Sequence, residues 1–415
     1  MHSEAFVPAI AWALPFVGLL LAIAMLPLVA ARFWESNGGK LAVAAALALP
    51  VLVLYLRARP EALFHAARDY LSFIVLLGGL FVISGGILLE GDLQATTRTN
   101  VLLLGAGALV ASFVGTTGAS MLLIRPLLQT NRERKRVAHT VVFFIFLVSN
   151  IGGCLTPLGD PPLFLGYLLG VPFTWTLRLF WPWLFTTALV LAVYAAWDRR
   201  ERSREAPADL KRDFYEVRPL RVAGKQNMLL LAGVLAAVAI LGAPWRELAI
   251  VGLSVLSYRR TDPELRRANR FTFHPILEVA ALFAGIFVTM LPALDLLQAR
   301  GAELGVREPW QFFWATGVLS SFLDNAPTYL TFVALAKGLG LAPEVVGVSH
   351  EVLVAISLGA VFMGANSYIG NGPNFMVRAI AEERGVKMPS FGGYMIYSGA
   401  VLLPVFALVT LVFFR

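Results

Sequence analysis

Polar, glycine-rich interruptions punctuate an otherwise apolar chain. The runs 9–31 and 41–56 contain no charged residue. In hydrocarbon each backbone amide and carbonyl must be satisfied within its own segment, so such runs predict helices. The pattern predicts crossings near 8–31, 40–57, 71–89, 138–171 and 174–197, then near 227–242, 247–258, 275–294, 350–380 and 391–414. Two further apolar segments, 100–130 and 308–337, break at Gly115-Thr116-Thr117-Gly118 and Leu323-Asp324-Asn325-Ala326-Pro327, and predict re-entrant hairpins. The spans 138–171 and 350–380 each carry a polar break of their own, which predicts broken helices.

The two breaks superpose. Shifted by 364 − 153 = 211 positions, Gly153 meets Gly364, Thr156 meets Ser367, Gly159 meets Gly370, Asp160 meets Asn371 and Pro162 meets Pro373. The hairpin tips superpose as well. At 321 − 112 = 209, Ser112 meets Ser321, Gly115 meets Asp324 and Thr116 meets Asn325. Two matches in the same order and at nearly the same spacing predict an internal repeat. The first copy covers 1–197, a charged cytoplasmic linker with no periodic apolar face, expected to be solvated, covers 198–226, and the second copy covers 227–415. The expected fold is an all-α integral membrane protein with about ten transmembrane helices, two re-entrant hairpins and two broken helices. Five crossings per half invert the second copy relative to the first, the architecture of many secondary transporters.

Composition agrees. The 415 residues are 58% hydrophobic and 14% charged, where soluble domains carry about 25% charge. The formal charge of +8 would suit nucleic acid in a soluble protein. Here it is read as basic cytoplasmic loops, and no nucleic-acid partner is expected. Those loops are 132–136, the linker with its nine Lys/Arg, and 259–270. They place both termini outside, with Arg57, Arg59 and Arg68 as the group that fits least well. The start of the chain lacks a basic n-region, so the first span is expected to be a retained helix. The one cysteine, Cys154, excludes an intrachain disulfide. No G-x-x-x-x-G-K-[ST] or H-E-x-x-H motif occurs, and no nucleophile–base pair stands out, so neither an ATP-driven pump nor an enzyme is indicated.

The candidate chemistry lies in the interruptions. Thr116 and Thr117 bring hydroxyls to the first hairpin tip, and Asp324 and Asn325 bring a carboxylate and an amide to the second. Asn150, Thr156 and Asp160 lie in the first break; Asn366, Ser367, Asn371 and Asn374 lie in the second. Hard oxygens of this kind suit sodium, while half-helix N-termini suit an anion. Intramembrane acids mark ion or proton sites. Each acid also has a structural alternative. Asp324 can cap the helix that Pro327 begins, and Asp160-Pro161 is a good N-cap and N1 pair. Asn371, the repeat partner of Asp160, keeps the capping shape without the charge, which points to a role for that charge beyond capping. Weaker candidates are Arg125, as a carboxylate contact or a snorkelling side chain, and Glu278, as a proton relay or an interfacial acid. Ser149 is expected to bond the preceding turn. Tyr167, Trp175, Trp181 and Trp183 suggest an interfacial aromatic belt.

The motifs Ser-Asn-Ile-Gly-Gly-x-x-Thr-Pro-x-Gly-Asp (149–160) and Leu-Asp-Asn-Ala-Pro-Thr (323–328) resemble signatures of NhaD-type sodium/proton antiporters. These belong to the ion transporter superfamily, together with citrate transporters of the CitMHS type, arsenite permeases and INDY-type dicarboxylate carriers. Gly-Thr-Thr-Gly-Ala-Ser (115–120), followed by Arg125-Pro126, resembles the bacterial branch labelled sodium:proton antiporter or citrate transporter. The resemblance implies a homodimer in a bacterial-type inner membrane, with sodium and protons as transported or coupling ions and no other cofactor. It implies cation-binding carboxylates at Asp160 and Asp324, with oxygens from Thr116, Asn150, Thr156, Asn325 and Asn366. INDY-type carriers have Ser-Asn-Thr at their hairpin tips, where this chain has Gly-Thr-Thr and Asp-Asn-Ala. Two functions are therefore expected: sodium or lithium/proton antiport first, and cation-coupled transport of citrate or another carboxylate as the alternative. A channel is the remaining class.

Overall fold

A computed structural model describes residues 6–34, 36–215, 217–340 and 344–415. The chain is an all-α membrane protein, with one two-stranded sheet among the described residues. Seven stretches are long and apolar enough to cross a membrane: Ile10–Pro27, Asn37–Ala58, Pro60–Ser84, Thr97–Val114, Phe173–Arg202, His274–Leu304 and Phe391–Phe413. Three shorter apolar helices, Ala138–Cys154, Gln226–Ile240 and His350–Asn366, join them. The expected span 71–89 begins earlier, at Pro60, where proline at the first helical turn costs no hydrogen bond. Thr97–Val114, expected as a hairpin limb, is by length and composition itself a candidate crossing.

The helices form a buried inner group and a lipid-facing outer group. In Ala138–Leu147 every residue after the first is buried, and Val352–Met363 is nearly as enclosed. Helices that are apolar all round belong in such a centre. Leu14–Val29 and Asn37–Ala58 instead expose Leu14, Leu21, Val29, Leu49 and Leu56. The capping chemistry is local. Ser36, Thr96, Ser349 and Ser390 each accept a backbone N–H three residues on, and Glu308 forms a capping box with Gln311.

The repeat read from the sequence recurs as repeated contacts. Ser112 Oγ donates to the Gly152 carbonyl, and Ser321 Oγ donates to the Met363 carbonyl at 3.1 Å. Thr156 Oγ1 donates to the Ser112 carbonyl, as Ser367 Oγ does to the Ser321 carbonyl. Thr156 Oγ1 then accepts from Leu158 N at 3.1 Å and Ser367 Oγ from Ile369 N at 3.2 Å. Every pair is related by the offsets 209 and 211. Each hairpin therefore grips its own broken helix in the same way. The first tip closes on Gly115, whose φ of +83° suits glycine, and Thr116 N donates to the Gly159 carbonyl at 2.8 Å.

The linker differs from the expected solvated segment. It carries a helix, Pro207–Tyr215, and a strand β2 (Arg218–Ala223) that pairs antiparallel with β1 (Leu88–Asp92). Its acids turn inward. Asp198 is fully buried, accepts from Thr97 Oγ1 at 2.6 Å, and pairs with Arg134 at 2.8 Å and His139 at 3.0 Å. Glu205 accepts from Arg136 N at 2.8 Å, and Asp213 from Ala95 N at 2.9 Å. Asp198, Glu201 and Glu205 supply counter-charge to Arg134 and Arg136 of the basic loop 132–136, which a fully solvated segment would not do. The third basic stretch joins the same end, since Asn269 Nδ2 donates to the carbonyls of Gly85 and Ile87. Arg59 lies at the other end of Pro60–Ser84 and is paired with Asp295 at 3.0 Å.

Gly159 folds back on the Gly153 carbonyl, and Gly370 folds back on the Gly364 carbonyl. A Cβ at either position would overlap backbone. Gly159→Ala and Gly370→Ala are expected to destabilise by about 1–3 kcal/mol each. Gly399→Ala, with nothing within 4 Å, should leave stability unchanged or raised. Melting midpoints of the purified variants in detergent check this, and equal midpoints for all three would overturn the close-packed breaks.

Candidate functional site

Asp160 is the polar centre of the structure. It is 1% exposed and sits at the N-cap of Pro161–Leu168 with extended backbone (φ −144°, ψ 144°), yet its side chain makes no capping bond. The carboxylate turns away from its own helix. Oδ1 accepts from Thr116 Oγ1 at 2.7 Å and from Asn371 Nδ2 at 3.1 Å, while Oδ2 accepts from Asn325 Nδ2 at 2.5 Å. The donors come from the first hairpin, the second break and the second hairpin. One charge is thus held by both halves of the chain.

Asn371 is the repeat equivalent of Asp160, at 371 − 160 = 211, and the two bond each other. Thr116 and Asn325, equivalent at 325 − 116 = 209, converge on the same carboxylate. Positions related by the sequence offsets thus meet at one carboxylate. Two acids at such a position would repel. An acid and an amide make a hydrogen bond instead.

A second set of contacts extends from this centre. Asn371 Nδ2 also donates to the Ser149 carbonyl at 3.1 Å. Asn150 Nδ2 donates to Asn374 Oδ1 at 2.7 Å, and Asn374 Nδ2 donates to the Gly364 and Ser367 carbonyls at 2.8 and 2.9 Å. Asn366 Nδ2 donates to Ser321 Oγ at 2.9 Å. The amide oxygens of Asn150, Asn325 and Asn366 are buried and accept no hydrogen bond among the described residues. A buried acceptor without a donor costs about 1–3 kcal/mol, and a small hard cation is a partner that amide oxygens can take.

The remaining candidates divide. Asp324 is partly exposed and caps Asn325–Leu339, accepting from Ala326 N at 3.0 Å. Its charge is close enough to act on Asp160. Thr156 and Ser367 fasten the breaks to the hairpins. Thr117 makes no bond to Asp160 and lines a cavity of about 80 Å³ with Thr116, Gly159 and Pro161. Glu278 pairs with the buried Lys40 at 2.8 Å. Arg125 lies among the charges of Arg270, Arg384 and Glu383, away from the breaks. Ser149 shares a hydrogen bond of 2.8 Å with Ser120 rather than bonding its own preceding turn. Trp175 and Trp183 are buried, whereas Trp181 is exposed as a belt residue would be. Sequence reasoning passed over Ser112 and Ser321 as functional supports, although their equivalence was already in the superposition.

Among the described residues no three His, Cys, Asp or Glu side chains come together. The polar centre is built from one carboxylate, amides and hydroxyls. Discontinuous helices that hold a polar site within a helical bundle define a membrane transporter. The family model CitMHS_2, described as "Putative citrate transport", matches residues 5–414, and the chain belongs to that family. No curated protein matches it.

The Asp160–Asn371 pair is directly testable. Asn371→Asp places a second carboxylate at a 3.1 Å contact. One proton shared between the two acids relieves the repulsion, and losing it restores the repulsion. The variant's melting midpoint is therefore expected to fall more steeply with rising pH than that of the parent protein. Parallel pH profiles for the two proteins would contradict the contact.

Proposed function

We propose that this protein is a cation-coupled secondary transporter of a carboxylate of the citrate class, with the coupling cation held at Asp160. The observation that carries the reading is the convergence of both halves on one buried carboxylate, beside amide oxygens that accept nothing. Sodium fits such hard oxygens, and Thr116, Asn325 and Asn371 would orient the carboxylate toward it. Family membership supports the carboxylate cargo. The two halves are proposed to be inverted copies, and the protein is proposed to work as a homodimer in a bacterial-type inner membrane.

The coupling follows from charge. An anionic substrate approaching Asp160 and Asp324 is repelled while those acids are uncompensated. A cation at Asp160 removes that repulsion, so each ligand binds better in the presence of the other. The substrate's carboxylates would face the N-termini of Pro161–Leu168 and Gly372–Glu383.

Sodium or lithium/proton antiport is the second reading. One observation favours it: among the described residues no Lys or Arg donates to the Asp160 cluster. A carboxylate that either ion can neutralise exchanges one for the other without an anionic cargo.

Purified protein in liposomes separates the readings. Sodium-dependent uptake of labelled citrate supports the first. Proton efflux on adding sodium or lithium alone, indifferent to citrate, supports the second. In either case Asp160→Asn is expected to reduce cation-dependent flux by about 100-fold or more, because it removes the charge. Thr116→Ala should raise the half-saturating sodium concentration by about tenfold, the equivalent of one hydrogen bond to a charged group. Full sodium dependence in Asp160→Asn would remove Asp160 from the cation site.

A further inference from the structure

At the basic end of the molecule lies a cavity of about 770 Å³, whose lining includes no residue of the Asp160 cluster. One wall comes from the first half and carries Arg134, Arg136 and Trp197; the other comes from the second half and carries Arg384, Lys387 and Tyr397. The first wall is neutralised: Arg134 pairs with Asp198 at 2.8 Å and Arg136 with Glu201 at 3.1 Å. The second wall is not. Arg384 and Lys387 are exposed and form no ion pair among the described residues. Arg125 adds its charge beside Arg384, and the nearby Glu383 is already paired with Arg270. Cations gathered around a hollow without matching acids repel one another, and a multivalent anion is the occupant that relieves this.

The depth and lining indicate the anion's chemistry. Trp197 and Tyr397 stack at 5.1 Å with an interplanar angle of 16°, and such aromatics sit at the level of lipid headgroups. Basic pockets between helices on the cytoplasmic side suit phosphate-bearing headgroups. We infer that this cavity is a binding site for a phosphate group, held by Arg384 and Lys387 against the Trp197–Tyr397 pair and distinct from the transport site. The bound phosphate bridges the end of the second broken helix to the helices Phe180–Arg202 and Phe391–Phe413, which carry Trp197 and Tyr397.

The test uses the full chain, purified and delipidated in an uncharged detergent, with melting followed by tryptophan fluorescence. Cardiolipin, phosphatidylcholine, inorganic pyrophosphate and citrate are added separately at matched ionic strength. Cardiolipin is expected to raise the midpoint by several degrees more than phosphatidylcholine, and Arg384→Gln/Lys387→Gln should reduce that shift by at least half. A response to cardiolipin but not to pyrophosphate identifies the source as lipid; a response to both identifies phosphate itself. Both outcomes uphold the site. Equal shifts with cardiolipin and phosphatidylcholine without a response to pyrophosphate, an undiminished shift in the double variant, or stabilisation by citrate alone would overturn it. Lys387→Gln alone, at an exposed position, serves if the double variant does not fold. The readout does not use transport, so its failure leaves the reading of the Asp160 site standing, and the reverse holds too.

Discussion

One buried negative charge organises this molecule. A carboxylate at membrane depth costs several kcal/mol unless its oxygens are satisfied. Asp160 has no donor on its own helix and takes three from elsewhere in the chain. To deliver them, both hairpin tips and the second break must reach the same point as the first break. The backbone must open at those places, and the polar groups so exposed need partners. Ser112 and Ser321 supply them, each bonding the carbonyl side of its own break. The close approach of Gly159 to Gly153, and of Gly370 to Gly364, is the steric consequence. The charge, the breaks and the glycines are one constraint seen at three scales.

The polar centre also contains an imbalance that bears on transport. Hydrogen-bond donors converge on Asp160, while among the described residues the oxygens of Asn150, Asn325 and Asn366 accept none. A purely structural amide network satisfies both ends of each amide, because an unmet acceptor is expensive. In the proposed transport cycle these acceptors are the oxygens a cation would meet. A site that takes a cation there, and that repels anions until then, would couple the two ligands without any moving part being specified.

Much of this was legible in the sequence because membrane helices make polar breaks conspicuous. The offsets 209 and 211 paired Ser112 with Ser321 and Thr156 with Ser367, which make matching contacts, and the loss of charge at Asn371 drew attention to Asp160, whose side chain makes no capping bond. What stayed hidden depends on contacts between distant segments. Glu278 looked available until Lys40 was found beside it. The 198–226 stretch looked solvated because it has no apolar periodicity, yet it is held by acids that answer the cations of another loop. Trp175 looked like a belt residue, but its indole N–H donates to His350 at 3.2 Å and it is buried. Composition gives a residue's affinity for an environment; the partner that decides the matter lies elsewhere in the chain.

The repeat is most informative where it is broken. Each half contributes one acid to the region, but from different elements: the first half from its break, at Asp160, and the second from its hairpin tip, at Asp324. Strict symmetry would place an acid at 371 opposite Asp160, where a bond of 3.1 Å now joins them. Like charges at that separation cannot both remain ionised. With asparagine there, the same geometry becomes a donor–acceptor pair and the charge stays single. Asp324 meets no acid at its own equivalent position, Gly115, and its carboxylate accepts from the Ala326 amide. If the halves are symmetric copies, as proposed, a charge can stand on their shared axis only where one copy lacks it, and Asn371 is the uncharged partner of Asp160.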